Sequence, residues 1–249
     1  MSHTPAPMPE VAADALAGRV VLVTGAHGGL GAEAAKACAR AGATVVLLGR
    51  KLPKLNRVYD AVKALGPEPA LYPVDLAGAD PADYAQLAEK IASELGGLHG
   101  VLHCAAEFTG LAPLEATEPE AFVRCLHVNL TAPWLLTQAC LPWLRKSGDS
   151  AVVFTTDDPA RVGKAYWGAS GLAKPGLAEV ADVGFDGVET ETAGDIVRPG
   201  ADPRITVWDG MFVAFLASAL GSAILFLVPQ FMFPSGSISA SERVPDWLE

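Results

Sequence analysis

The feature that most constrains this chain is the segment Arg19-Val-Val-Leu-Val-Thr-Gly-Ala-His-Gly-Gly-Leu-Gly31. A run of β-forming residues, 20–23, ends in a cluster of glycines, and helix-forming residues follow over 32–41. A strand, a tight glycine turn and a helix together hold the pyrophosphate of a dinucleotide, because the first helical turn offers unpaired N–H groups and the positive end of its dipole. The segment therefore predicts a dinucleotide-binding site.

The glycines of this turn have separate expected roles. Gly25 lets the chain leave the strand sharply, Gly29 keeps the backbone bare where a phosphate approaches, and Gly31 lets the helix pack close to the sheet. His27 and Leu30, between these glycines, are further candidate cofactor contacts. The alternative is a strand–helix turn that binds nothing.

The composition fits one α/β domain. The chain has 249 residues, 51% hydrophobic and 18% charged, which suits a parallel sheet buried on both faces. Its formal charge of -10 argues against nucleic acid, whose phosphates need a basic surface. The four cysteines form no C-x-x-C pair, so we expect buried thiols in a reducing cytosol and no metal site.

The expected domain organisation is simple. Residues 1–10 are rich in proline and do not resemble a signal peptide, so residues 1–16 are predicted to form a flexible arm. Residues 17–249 are predicted to form a single nucleotide-binding domain, and the protein is predicted to be cytoplasmic.

Strand and helix patterns alternate along the chain. Strands are predicted at residues 20–23, 44–48, 70–74, 100–104 and 151–155, and helices at 32–41, 54–65, 81–95 and 118–144, the last bent near Pro133. Such alternation implies right-handed crossovers and a doubly wound parallel sheet between two helical layers, a three-layer αβα fold. The ligand crevice of such a sheet lies at the carboxyl ends of its strands.

The spacing Thr24-Gly25-x-x-x-Gly29-x-Gly31 resembles the glycine turn of the short-chain dehydrogenase/reductase family. The resemblance covers nearly the whole chain after Leu16. It implies a Rossmann-like fold, a nicotinamide cofactor, and hydride transfer between that cofactor and a small alcohol or carbonyl compound. It also implies a homodimer or homotetramer.

The end of the second strand bears on the choice of cofactor. A site for NAD usually places an acid here for the ribose 2′-hydroxyl, but this chain has Leu48-Gly49-Arg50-Lys51. A guanidinium suits the 2′-phosphate of NADP(H), so Arg50 is predicted to bind it, assisted by His27 when protonated. NAD(H) is the less favoured cofactor. The alternative is a solvated basic loop.

Two further segments resemble the family's cofactor contacts. Asp75 falls where the family has an acid near the adenine, and Leu76 follows it. The segment His103-Cys104-Ala105-Ala106 replaces the family's Asn-Asn-Ala-Gly, of which Ala105 fits. Cys104 stands where an amide ties strands together, and we interpret it as a core thiol.

The family's catalytic groups are only partly present. Asn129 in Val128-Asn-Leu-Thr-Ala-Pro133 resembles the asparagine that holds a water in a proton relay, and Lys174 resembles the lysine that lowers the pKa of a catalytic tyrosine and holds the ribose. However, Ser170 stands at the position of that tyrosine, and Asp157 at the position of the family's serine. An aliphatic hydroxyl is a far weaker acid than a phenol, and Asp157 is expected to pair with Lys174.

Three interpretations follow from these changes. Tyr166, one helical turn before Ser170, substitutes for the missing tyrosine; or the protein binds NADP(H) with little or no turnover; or the sequence departs from the natural gene within residues 155–249. Pro175 favours the third, because it removes a backbone donor inside the helix that carries Lys174.

The last part of the chain has two notable segments. Pro199-Gly200 resembles the family's turn near the nicotinamide and is predicted to contact the cofactor. Residues 211–233 carry no charge and are long enough to span a bilayer, but Pro229 and Gln230 lie within them, so we expect no membrane association. The segment equally suits contact with a second subunit.

Overall fold

The computed structural model describes residues 12–157, 162–184 and 188–192. Its strands form one parallel sheet in the order β3-β2-β1-β4-β5-β6. They are β1 (Val20–Thr24), β2 (Thr44–Gly49), β3 (Ala70–Pro73), β4 (Gly100–His103), β5 (Ala151–Phe154) and β6 (Glu189–Thr192). The predicted doubly wound, Rossmann-like sheet is confirmed.

The helices alternate with these strands as predicted. They are α1 (Gly29–Arg40), α2 (Leu52–Lys63), α3 (Pro81–Leu95), α4 (Pro119–Leu126), α5 (Ala132–Ser147) and α6 (Gly168–Val183). A short 3₁₀ turn spans Leu114–Ala116, and one π-helical turn, His127–Thr131, joins α4 to α5. This π turn is the interruption predicted near Pro133, while α6 continues through Pro175.

Helix α3 shows how the sequence sets element bounds. Asp80 accepts hydrogen bonds from the N–H groups of Ala82 and Asp83, and the Asp83 carboxylate accepts one from the N–H of Asp80. Pro81 occupies the first turn, where its missing donor costs nothing, and Gly96 ends the helix with φ +83°.

Both faces of the sheet are covered. Helix α1 packs against β1 and β2, and α2 packs against β2 and β3. On the other face, side chains of α3, α5 and α6 form one core cluster with alternate residues of β1. That cluster includes Val20, Leu22, Tyr84, Leu87, Ile91, Leu136, Leu144 and Leu177. The result is the predicted three-layer arrangement.

The register brings the strand ends to one edge. Thr24 lies opposite both Leu48 and His103, and His103 lies opposite Phe154. The segments that follow β1, β2, β4 and β5 therefore meet at the carboxyl edge of the sheet, where ligands bind in such folds.

Several predictions concern the ends of the chain. Leu16, assigned to the flexible arm, is fully buried and its N–H donates to the oxygen of Ala41, so this residue belongs to the packed core. Strand β6, for which the sequence pattern 191–197 is only weakly apolar, begins at Glu189. Residues 1–11, 193–200 and 211–233 lie outside the described residues. Within the described part, the helices are too short or too polar to span a bilayer.

Candidate functional site

A cleft of about 230 Å³ opens at the carboxyl edge of the sheet. It is lined by the turn after β1 and by the segments after β2, β3 and β4. The predicted cofactor residues that line it are Gly25, His27, Gly29, Leu30, Gly31, Arg50, Asp75, Leu76 and Ala105. Lys174, also predicted to bind cofactor, is not among the lining residues, and Pro199 and Gly200 lie outside the described residues.

The glycine turn fits a phosphate group. A Cβ at Gly31 would lie 2.5 Å from the oxygen of Gly25, so only glycine allows α1 to begin so close to the turn. Gly25 has φ +62°, and a Cβ there would lie 2.6 Å from the Cα of Ala105. Gly28 precedes α1 without a side chain to cap it, which leaves the first N–H groups of the helix for an anion.

The segments after β1 and β4 are tied directly. The N–H of Ala105 donates to Oγ1 of Thr24 at 3.1 Å. This hydroxyl links the end of β1 to the segment after β4, next to Cys104, which stands where the family has a linking amide. Desolvation raises the pKa of Cys104 to about 12, which keeps it a neutral thiol, but this residue is only partly buried and lines the cleft, so it is not the core thiol that was expected.

The basic side of the cleft contains His27, whose predicted role depends on its protonation. Burial lowers the pKa of His27, and the charges of Lys54, Arg50 and Lys51 lower it further, so this imidazole is neutral at pH 7. It was expected to assist Arg50 when protonated, and that role stays a prediction. Its Nδ1 is buried and has no hydrogen-bond partner among the described residues. Arg50, 49% exposed, is therefore the main cation facing the cleft.

Glu107 is a cleft residue that the sequence analysis missed. Its Oε2 lies 3.7 Å from Nη1 of Arg50, and its Oε1 accepts a 2.6 Å hydrogen bond from Nε of Arg124. Its position in the sequence could have indicated a ligand contact, because Glu107 follows the carboxyl end of a parallel strand and ligands of such sheets bind at that edge.

Asn129 lies in the π turn and holds the segment after β4. Its Oδ1 accepts from the N–H of Glu107 at 2.8 Å, and its Nδ2 donates to the oxygen of Glu107 at 2.7 Å and toward Sγ of Cys125 at 3.2 Å. Both ends of the buried amide are engaged by protein atoms. The side chain therefore positions the cleft wall, and the predicted water-holding role stays a prediction.

Lys174 lies beneath the carboxyl end of β5. Its Nζ donates to the oxygen of Thr155 at 2.7 Å, and Oγ1 of Thr155 donates to the oxygen of His103 at 2.7 Å. Burial lowers the pKa of Lys174, while Cys104, Asp157 and Cys125 raise it by less. Asp157 attracts the charged form of Lys174, but more weakly than desolvation opposes it, and the predicted ion pair between them stays a prediction.

His103, whose backbone oxygen accepts from Thr155, also has a buried polar side chain. Its Nε2 lies 2.8 Å from Oγ1 of Thr137, and its ring stacks on Phe154 with centroids 4.9 Å apart. Burial, and secondarily the charge of Lys174, lowers the pKa of His103 to about 3. The imidazole is therefore neutral and contributes packing and one hydrogen bond.

Ser170 lies on α6, one turn before Lys174, as the spacing predicts. It is 7% exposed, and its Oγ lies 3.4 Å from Sγ of Cys125. The hydroxyl is thus turned toward a thiol inside the protein. A serine in this setting is a poor proton donor compared with a phenol.

Tyr166 does not lie on α6. The helix begins at Gly168, and Tyr166 precedes it with φ +75°, a left-handed conformation that ends helical continuity. Its backbone oxygen accepts a hydrogen bond from the N–H of Ala112, and the residue is 58% exposed. The predicted placement one helical turn before Ser170 on the same face is therefore wrong.

A three-layer parallel fold with a glycine turn and a cleft at the strand ends defines a Rossmann-like nucleotide-binding protein. The model of the short chain dehydrogenase family matches residues 19–188. The chain therefore belongs to the short-chain dehydrogenase/reductase family, whose members are oxidoreductases.

Three relatives illustrate the similarity. Oxidoreductase YciK of Escherichia coli K12 is 37% identical over 188 residues, or 75% of each chain. A short chain dehydrogenase structure from Shigella flexneri 2a complexed with NADP is 37% identical with a TM-score of 0.66, over 69% of this chain and 72% of that one. One from Escherichia coli CFT073 complexed with NADPH is 34% identical with a TM-score of 0.68, over 82% and 92%.

Proposed function

We propose that this protein is an NADP(H)-dependent oxidoreductase that acts on a small alcohol or carbonyl compound. The observation that carries the proposal is the placement of Arg50 beside an uncapped glycine turn in one cleft. The solved relatives that contain NADP or NADPH support the same cofactor.

The glycine turn and Arg50 account for binding. The first N–H groups of α1 receive the pyrophosphate, and the guanidinium of Arg50 pairs with the 2′-phosphate. The neutral His27 has an unpartnered buried nitrogen beside this position, and a nearby anion favours its protonation. Ala105, tied to Thr24, forms the wall opposite the turn.

For the chemical step, this chain offers fewer catalytic side chains than the family, because the tyrosine and the serine of the family are replaced. When bound, the nicotinamide supplies or accepts the hydride. Lys174 provides a buried positive charge, fixed by Thr155, near the carboxyl end of β5. Ser170 stands at the position of the family's tyrosine, so its hydroxyl takes the role of proton donor. Because this hydroxyl is a weak acid, proton transfer is the slow step.

The test is steady-state oxidation of NADPH across a panel of aldehydes and ketones. We expect slow turnover that rises in Ser170→Tyr combined with Asp157→Ser, because a phenol one turn before Lys174 restores a better acid. A chain that binds NADPH but turns over no substrate, before or after these substitutions, contradicts the catalytic part of the proposal.

The contact between Ser170 and Cys125 favours a second candidate, an NADP(H)-binding protein without turnover. In that case the hydroxyl has a packing role, and the cofactor stabilises or regulates the protein. Measurable turnover by the unaltered chain rejects this candidate.

Self-association is part of the proposal. Apolar side chains are exposed on three helices: Val123 on α4 (64%), Trp134 on α5 (42%) and Leu172 on α6 (61%). Such surface favours a homodimer or homotetramer. Light scattering coupled to gel filtration distinguishes these from a monomer.

A further inference from the structure

Glu107 places a carboxylate in the cofactor cleft against the arginine assigned to the 2′-phosphate. Its two oxygens are divided between two cations: Oε2 lies 3.7 Å from Nη1 of Arg50, and Oε1 lies 2.6 Å from Nε of Arg124. The Glu107 side chain is only 12% exposed, whereas the two arginines are about half exposed. One shielded carboxylate is thus shared between a cleft residue and a residue of α4.

The backbone of Glu107 is fixed, so this carboxylate stays at the cleft. Its N–H and its oxygen are both held by the side-chain amide of Asn129, at 2.8 and 2.7 Å. The thiol of Cys125 also donates toward the same oxygen at 3.4 Å. Residues of α4 and the π turn thus hold the backbone of Glu107 by hydrogen bonds. The negative charge of its carboxylate can therefore move only by rotation of the side chain.

The charge matters for the choice between cofactors. A 2′-phosphate carries between one and two negative charges at neutral pH, so it is repelled by a carboxylate and attracted by the guanidinium that the carboxylate already engages. The ribose 2′-hydroxyl of NAD(H) is neutral and is not repelled. Arg124 draws the carboxylate toward α4 and thereby leaves Arg50 more available.

Building on the proposed function, we propose that Glu107 is a specificity-determining residue that competes with the 2′-phosphate for Arg50 and limits the preference for NADP(H) over NAD(H). Arg124 sets the strength of that competition from outside the cleft. The geometry thus predicts opposite effects from removing the carboxylate and from removing Arg124.

The experiment is calorimetric titration of the full chain with adenosine 2′,5′-bisphosphate and with 5′-AMP, which differ only in the 2′-phosphate. Glu107→Gln is expected to bind the bisphosphate about three- to fivefold more tightly, as for a partly exposed ion pair, with 5′-AMP unchanged within about twofold. Arg124→Gln is expected to weaken the binding of the bisphosphate. In the Glu107→Gln background, the same substitution is expected to have little effect on this affinity. Glu68→Gln, which breaks a surface pair with Lys63, is the matched control and should change neither affinity.

The outcomes separate this inference from the proposed function. If the unaltered chain binds the bisphosphate and Glu107→Gln binds it no more tightly, the role of Glu107 is wrong while the cofactor assignment stands. If no variant binds either nucleotide, both are wrong. Should thermal unfolding show that Glu107→Gln does not fold, Arg124→Gln decides alone. A loss of bisphosphate affinity relative to the unaltered chain that 5′-AMP does not share supports the inference, and an unchanged or higher bisphosphate affinity, or an equal loss for both nucleotides, overturns it.

Discussion

Nζ of Lys174 donates a 2.7 Å hydrogen bond to the backbone oxygen of Thr155, which fixes the buried amino group of Lys174 at the carboxyl end of β5. The group is costly to bury, because desolvation lowers its pKa. A costly buried group held by a specific acceptor at the carboxyl edge of the sheet indicates a functional role more than a stabilising one.

Lys174→Met tests this interpretation. The substitution removes a buried charge and leaves the oxygen of Thr155 unpaired, so the two effects offset and we expect the free energy of unfolding to change by less than about 1.5 kcal/mol. Binding of NADPH is expected to weaken at least tenfold. Urea denaturation and calorimetry measure the two quantities, with the exposed Lys63→Met as control; unchanged NADPH affinity would show that the charge has no part in binding.

Asn129→Ala addresses the wall of the cleft. The substitution removes both hydrogen bonds to the backbone of Glu107, and we expect a loss of about 1–3 kcal/mol of stability because a part-buried N–H loses its partner and the Glu107 oxygen keeps only the thiol of Cys125. The exposed Asn56→Ala on α2 should cost less than about 0.5 kcal/mol. Equal effects of the two substitutions in urea denaturation would rule out the bridging role.

Gly31→Ala addresses the glycine turn. The added methyl would lie 2.5 Å from the oxygen of Gly25, so α1 must move away from the turn and its N–H groups leave their positions. We expect at least tenfold weaker NADPH binding. Gly78→Ala is the matched control, since a Cβ there meets nothing within 4 Å. Retained affinity in Gly31→Ala, measured by NADPH fluorescence, argues against phosphate binding at this turn.

His103 gives the protein an acid-sensitive core. Its pKa is about 3 in the folded chain and near 6.5 when unfolded, so the unfolded state binds an extra proton between these values. Stability from this group is therefore complete above pH 6.5 and is lost as pH falls toward 3, by up to about 1.4 kcal/mol per pH unit. In His103→Gln, which cannot titrate, the dependence should be shallower over pH 4–6.5; parallel curves from urea denaturation at each pH would contradict the assignment.

The early part of the chain was predictable because its local signals agree with each other. The glycine turn, the strand it follows and the helix it begins are adjacent in sequence, and Asp80 with Pro81 marks the start of α3 by capping chemistry alone. Lys174 was placed correctly on α6 because helical spacing is regular.

The features that the sequence could not predict depend on contacts between residues far apart in the chain. Glu107 meets Arg50 and Arg124 only after strands and helices have packed, so no spacing rule reveals the pair. The charge state of His27 depends on burial and on three cations brought near it by β2 and α2. Tyr166 was placed on a helix by its spacing, but its left-handed backbone ends that regularity.

The most direct test of the central claim is calorimetric titration of the unaltered chain with NADPH and NADH. We expect saturable binding of NADPH about tenfold or more tighter than NADH, and loss of that difference in Arg50→Gln, because a charge-assisted contact to the 2′-phosphate is worth about 1.5–3 kcal/mol. Lys63→Gln should behave like the unaltered chain. No heat of binding with either coenzyme would contradict the account.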